Sequence, residues 1–194
     1  VMFGGNGIAG TVNIITKDPI ENSFEVSINQ ALIKGEASDR AINFNGSVVS
    51  KNLDKGISFF GYNRNRDFWD ANGDDFSEIV QLQANSFGFD AFYNHNDQTN
   101  IKLGAYYITE FRRGGNKFDL APHQTDVTEQ LEHNILNTTL SAEHTSKNQK
   151  HKVNAYASLQ TVNRGSYYGG GGRVLADGDS LTADDILAIN AYGY

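Results

Sequence analysis

The sequence predicts an all-β protein, an antiparallel up-and-down transmembrane β-barrel present in part, and three observations carry that prediction. The first is composition: 12 Phe, 9 Tyr and 20 Gly stand against 2 Pro and 1 Met, a mixture that suits pleated strands and tight turns better than helices. The second is a series of segments in which apolar and polar residues alternate with a period of two. The third is that the connections between those segments alternate between short and long. A sandwich has no need of that parity, whereas an outer-membrane barrel has short periplasmic turns and long extracellular loops.

Taken in order, the chain opens with Gly4, Gly5, Gly7 and Gly10, which permit tight turns, and continues with Val12, Ile14 and Ile15 as a compact buried strand. Asp18-Pro19 stops that strand, because proline cannot donate to a sheet ladder. Residues 23–32 then carry Phe24, Val26, Ile28 and Leu32 on one face, and residues 41–50 carry Ile42, Phe44 and Val48, with Gly46 interrupting the stripe. Residues 57–66 set Ile57, Phe59 and Gly61 against Ser58, Phe60, Tyr62 and Arg64. Residues 85–94 alternate Phe87, Phe89, Ala91 and Tyr93 with Gly88, Asp90, Phe92 and Asn94. Residues 101–111 show Ile101, Leu103, Ala105 and Tyr107 against Lys102, Gly104, Tyr106 and Glu110. The segments 134–144 and 152–165 repeat the pattern with Leu136, Leu140, Val153 and Leu159.

Short polar turns are expected at 52–55, 96–100 and 145–150, and long loops at 67–84, at 112–133 and after residue 165. In that phase the strand after Pro19 starts on the periplasmic side and residues 34–39 form an outward loop. Within the last loop, Ile186, Leu187 and Ile189 are spaced as in a short helix over 182–190, preceded by a turn at Asp177-Gly178-Asp179. Seven strands cannot close a barrel, because single-chain bacterial barrels have even strand numbers and tolerate no open edge in lipid. The ends read as those of a fragment, with Val1 inside a loop and Tyr194 in mid-pattern.

Several function classes recede on composition alone. A net charge of -7 without any run of basic residues argues against a nucleic-acid partner. The absence of Cys removes disulfides, thiolate catalysis and Cys-based zinc sites. No stretch approaches the ~20 apolar residues of a membrane helix, and no signal peptide opens the chain. The histidines His95, His123, His133, His144 and His151 form no close pair, and no nucleophile or paired-carboxylate signature accompanies them, so no enzyme is expected.

The opening segment, Phe3-Gly4-Gly5-Asn6-Gly7-Ile8-Ala9-Gly10-Thr11-Val12-Asn13-Ile14-Ile15-Thr16-Lys17, resembles the last segment of the plug of TonB-dependent outer-membrane receptors. That family closes its plug with Tyr-Gly-x-x-Ala-x-Gly-Gly-Val-Ile-Asn-Ile-x-Thr-Lys. The likeness rests on Gly4, Gly5, Gly7, Gly10, Asn13, Thr16 and Lys17; Phe3 replaces the Tyr, Ala9 stands where Gly is commoner, and Thr11 precedes Val12. The resemblance implies a division into the end of a plug domain and its linker at 1–19 and the N-terminal part of a transmembrane barrel at 20–194. It also implies a receptor in the outer membrane of a Gram-negative bacterium, surrounded by lipid. Such a receptor imports a scarce bulky nutrient, a ferric siderophore, haem or cobalamin, with energy from the TonB complex acting through a segment absent here. A passive porin or structural barrel is the first rival, and a secreted β-rich binding module the second.

Three groups of residues are candidates for ligand chemistry. Asp70, Asn72, Asp74 and Glu78 place side-chain oxygens in the expected second outer loop in a way that suits a hard cation such as calcium; the cobalamin receptors of the resembled family hold calcium in an early outer loop. Arg112 and Arg113 end the fifth strand with two guanidiniums able to grip carboxylate or phosphate, and Arg64 and Arg66 are placed alike on the third. Trp69, Tyr167 and Tyr168 sit near outer loops, where they suit either a planar ligand or an interfacial belt. No further cofactor is expected.

Overall fold

A computed structural model describes residues 17–193. The residues of the junction from Gly4 to Thr16, among them Gly5, Gly7, Gly10 and Asn13, lie outside the described residues, as does Tyr194. Of the junction motif only the exposed Lys17 is described.

The strands are β1 (Ser23–Ile33), β2 (Ala37–Val49), β3 (Lys55–Arg66), β4 (Gln81–Asn96), β5 (Thr99–Gly115), β6 (Thr128–Thr145), β7 (Lys152–Gly169) and β8 (Tyr192–Gly193). They form one antiparallel sheet in which every strand pairs with its neighbour in sequence, in the order β1 to β8. Besides the sheet the described residues form a single 3-10 turn at Pro122–Gln124 and a short helix, α1 (Ala183–Ile189). The fold is therefore all-β, with all seven amphipathic segments realised as strands.

One end of the sheet carries tight connections at 50–54, 97–98 and 146–151, here the turn end. The other, the loop end, carries residues 34–36, 67–80, 116–127 and 170–191. The expected outward loop at 34–39 shrinks to three residues. Lys34 at φ 53° and Gly35 at φ 80° give two successive positive φ angles, the backbone twist that joins adjacent antiparallel strands tightly. Asp39 is consequently already in β2, opposite Arg66.

The register sorts the side chains onto two unlike faces. On one, Val48 lies beside Ile57, which continues through Ala91, Leu103 and Leu140 to Ala157. On the other, a row across seven strands reads Ser23, Ser47, Ser58, Asp90, Gly104, Thr139, Ser158, without one large apolar residue. Toward the loop end the apolar face, still Ile28 and Ile42 on β1 and β2, gives way from β3 to β7 to a row of Asn63, Asn85, Thr109, Asn134 and Asn163. Asn63 Nδ2 donates to Asn85 Oδ1 at 2.7 Å and Asn85 Nδ2 to Thr109 Oγ1 at 3.3 Å.

Aromatic rings lie over glycines on both faces, which explains the gaps in the stripes. A Cβ on Gly61 would stand 2.1 Å from the Phe44 ring, and one on Gly88 would stand within 2.8 Å of both Phe60 and Tyr106. In a strand, glycine at such points lets a cross-strand ring settle onto bare backbone.

Among the described residues no second layer covers the apolar face: Phe24 is 69% and Leu159 61% exposed. The chain exposes 13347 Å², whereas a compact protein of its mass exposes about 9,100 Å². The polar face has a partial cover instead. Residues 17–22 cross it ahead of β1, with Ser47 Oγ donating to the Glu21 carbonyl at 2.7 Å. Further along, Lys102 Nζ on β5 holds both carboxylate oxygens of Asp18, at 2.7 and 2.9 Å.

Candidate functional site

Loop 67–80 is closed at its base by an antiparallel bridge between Trp69 and Ile79. Its tip turns on side-chain acceptors, as Asp- and Asn-rich turns do. Asp70 accepts backbone N–H groups from Asn72 at 3.1 Å, Gly73 at 2.7 Å and Asp75 at 2.7 Å. Asn72 Oδ1 accepts from Asp74 N at 3.1 Å, and Glu78 accepts from Ala71 N at 2.6 Å. Burial pushes the Asp70 carboxyl up, but the N–H donors of Gly73, Asp75, Asn72 and Asp74 together hold it below the usual carboxylate range.

This turn brings ligand atoms of Asp70, Asp74 and Glu78 within 4.8 Å of one another. Among the described residues no Lys or Arg pairs with any of the three. The Asn72 amide donates from Nδ2 to Asp74 at 3.0 Å. The arrangement is chemically suited to a hard cation, for which three carboxylates supply part of a six- to eight-oxygen shell.

The two arginines at the end of β5 are parted by the pleat. Arg113, only 7% exposed, turns under loop 116–127, where Nη2 donates to the carbonyls of Leu120 at 2.7 Å and Lys117 at 3.4 Å. Its guanidinium lies 5.5 Å over the Phe118 ring, which stacks on Phe68 at 3.8 Å. Arg113 thus anchors a loop. Arg112 faces the polar side, half-exposed, with Nη2 3.0 Å from Glu110.

The aromatic candidates also separate. Trp69 Nε1 donates to Glu36 at 2.8 Å, tying loop 67–80 to the tight turn after β1. Tyr167 is 1% exposed; its hydroxyl donates to the Ala188 carbonyl at 3.0 Å and its ring sits 4.7 Å from Tyr192, so α1 packs on it. It offers a ligand no surface. Tyr168, on the opposite face, is exposed.

Cross-strand counting reveals a group that reading the strands one at a time could not assemble. On the polar face near the loop end, one row contains Arg64, Ala84, Glu110, His133 and Arg164. The next row toward the loops contains Asp39, Arg66, Leu82, Arg112, Leu131 and Ser166. Arg64 is held by Asp39 in a two-pronged contact, Nε to Oδ1 at 2.9 Å and Nη2 to Oδ2 at 2.6 Å. Arg66 donates from Nε to the Val80 carbonyl at 3.0 Å, and among the described residues Arg164 reaches only the Tyr168 hydroxyl, at 3.5 Å.

Comparison with protein-family models, with curated proteins and with solved structures returns no match.

Proposed function

We propose that the chain forms the plug end and the first barrel strands of a TonB-dependent outer-membrane receptor that imports a bulky scarce nutrient, a ferric siderophore, haem or cobalamin. The observation that carries this reading is the two-faced single sheet: an uncovered apolar face that gives way to a polar Asn/Thr row from β3 to β7, and a polar face without large hydrophobes in its central row. A sheet in water buries its apolar face and solvates the other; this one has the distribution that lipid outside and water or plug inside would select. The strap at residues 17–22 supports the receptor in preference to an empty pore. It crosses the polar face and is tied there by the Asp18–Lys102 ion pair, so on this reading it occupies the luminal side.

On this reading the loop end is extracellular, the turn end periplasmic, and the carboxylates of loop 67–80 a calcium point that would stiffen an outer loop. The test uses the full-length native protein. It should sediment with outer membranes, need detergent for extraction, and run faster on a denaturing gel unheated than boiled, because a closed barrel resists the detergent. Recovery as a soluble monomer would sink the reading in favour of a secreted β-rich module.

A further inference from the structure

We propose that the ligand received at the loop end carries two or more anionic groups, carboxylates or phosphates, and that Arg66, Arg112 and Arg164 grip it on the polar face with His133 between them. The inference rests on the receptor reading, which makes that face the lumen.

All seven arginines of the chain lie at the loop end or in its loops, whereas five of the nine lysines, Lys51, Lys55, Lys147, Lys150 and Lys152, lie at or beside the turn end. A partition by residue type is more telling than a partition by charge. Arginine presents a flat fork that matches carboxylate and phosphate, while lysine is a strongly hydrated point charge.

Three of the seven have work elsewhere: Arg113 on loop carbonyls, Arg173 on Asp179 and Asp185, and Arg40 on the apolar side of β2. The other four share the polar face in two adjacent rows. Two carboxylates there, Asp39 and Glu110, meet Arg64 and Arg112. Among the described residues neither Arg66 nor Arg164 forms an ion pair; Asp39, opposite Arg66, acts on it through space but gives its carboxylate oxygens to Arg64. Glu129, one row beyond Leu131 beside Tyr168, forms no ion pair among the described residues. The Arg112–Glu110 contact links residues on the same strand with Arg112 half-exposed; a pair of that kind contributes about 0–1 kcal/mol and yields readily to a competing anion.

Spacing then bounds the ligand. Arg66 and Arg112 are two strands apart, and Arg112 and Arg164 two more. At about 4.8 Å per strand neighbouring anchors stand about 10 Å apart around the wall, and Arg66 and Arg164 about 19 Å. One small anion cannot satisfy them together. A ligand with anionic groups on separate edges can, and His133, beside both Glu110 and Arg164, adds a donor between the anchors.

The experiment titrates the full-length protein in detergent with four probes: haem, ferric citrate, pyrophosphate and cyanocobalamin, the last without net charge. Haem or ferric citrate should bind, with affinity that falls as salt rises, and more tightly than pyrophosphate, which is too short to bridge two anchors; tighter binding of pyrophosphate than of either overturns the proposal. The Arg66→Ala, Arg164→Ala double variant should weaken the haem or ferric citrate binding tenfold or more, and the matching double Lys variant should restore it only in part. Both side chains reach solvent, so the variants should fold, which heat-dependent gel mobility verifies. Binding of cyanocobalamin alone, anion binding that survives the double variant, or binding of no probe overturns the proposal. Failure of the receptor reading shows separately, as absence from the membrane fraction whatever the probes do.

Discussion

Asp70 and Arg113 illustrate how a side chain in the same kind of sequence position can be turned to opposite ends. Asp70 holds its loop through three N–H donors and still presents oxygens beside Asp74 and Glu78. An Asn at this position keeps one acceptor oxygen for Asn72 N and Gly73 N and loses the Asp75 contact, and the convergence of negative charge is gone. Asp70→Asn combined with Asp74→Asn is therefore expected to lower calcium affinity at least tenfold, measured by calorimetric titration; a heat trace unchanged from the native protein would sink the calcium point. Arg113, by contrast, spends its donors on Leu120 and Lys117. Sequence could place both residues at the loop end, because strand ends and Asp/Gly-rich turns are local signals. It could not distinguish the anchor from the free guanidinium, since Arg113 and Arg112 differ only in which way the pleat sends them and what loop 116–127 then covers. Tyr167 was unreadable for the same reason: the carbonyl that buries it belongs to Ala188, 21 residues on.

At the scale of elements, α1 rests on a reciprocal cap. Thr182 Oγ1 accepts from Asp185 N at 3.2 Å, while the Asp185 carboxylate accepts from Thr182 N at 2.9 Å and from Thr182 Oγ1 at 2.7 Å, a capping box with Asp in the Glu position. These Thr182 bonds, with Arg173 3.4 Å away, hold the Asp185 carboxyl below its ordinary 3.8. A carboxyl with a lowered folded pKa stabilises fully above the unfolded value and loses that contribution as pH falls through the folded one. Hydrogen exchange in α1 should therefore be flat from neutral pH down to about 4 and lose protection only below that; Asp185→Asn should show weak protection throughout and no such step. Element boundaries were legible where alternation was strong. The extensions of β4 back to Gln81 and of β6 back to Thr128 were not, because Gln81, Gln83, Glu129, Gln130 and Glu132 are polar on both faces, so a period of two leaves no mark. β8, two residues against Ser166 and Tyr167, is too short to have a pattern.

For the whole molecule, the deciding property is that its two surfaces differ in the solvent they suit. Leu159 and Ser158 are adjacent on β7 and point opposite ways. In lipid, Leu159→Arg should cost about 2–4 kcal/mol of folding stability and Ser158→Arg close to nothing. The fraction of full-length protein folded into phospholipid vesicles, read by gel mobility, measures both; equal costs would remove the membrane from the account. The topology itself adds a forecast, since every strand pairs with its sequence neighbour and long-range pairing is confined to successive hairpins, a pattern that favours stepwise growth of the sheet.

The strap ahead of β1 stands outside that local order. Asp18 meets Lys102 across a separation of 84 residues, and its partner exists in place only once β5 has been laid against β4. The strap meets β2 early, through Ser47 and Glu21, but its far end must wait for Lys102 while four hairpin pairings accumulate. Its berth is held by an ion pair whose side chains are 44% and 39% exposed, a tie of about 0–1 kcal/mol. Such a fastening fixes where the strap lies without committing it there, so that a modest pull, or added salt, could lift it while the sheet beneath stays whole.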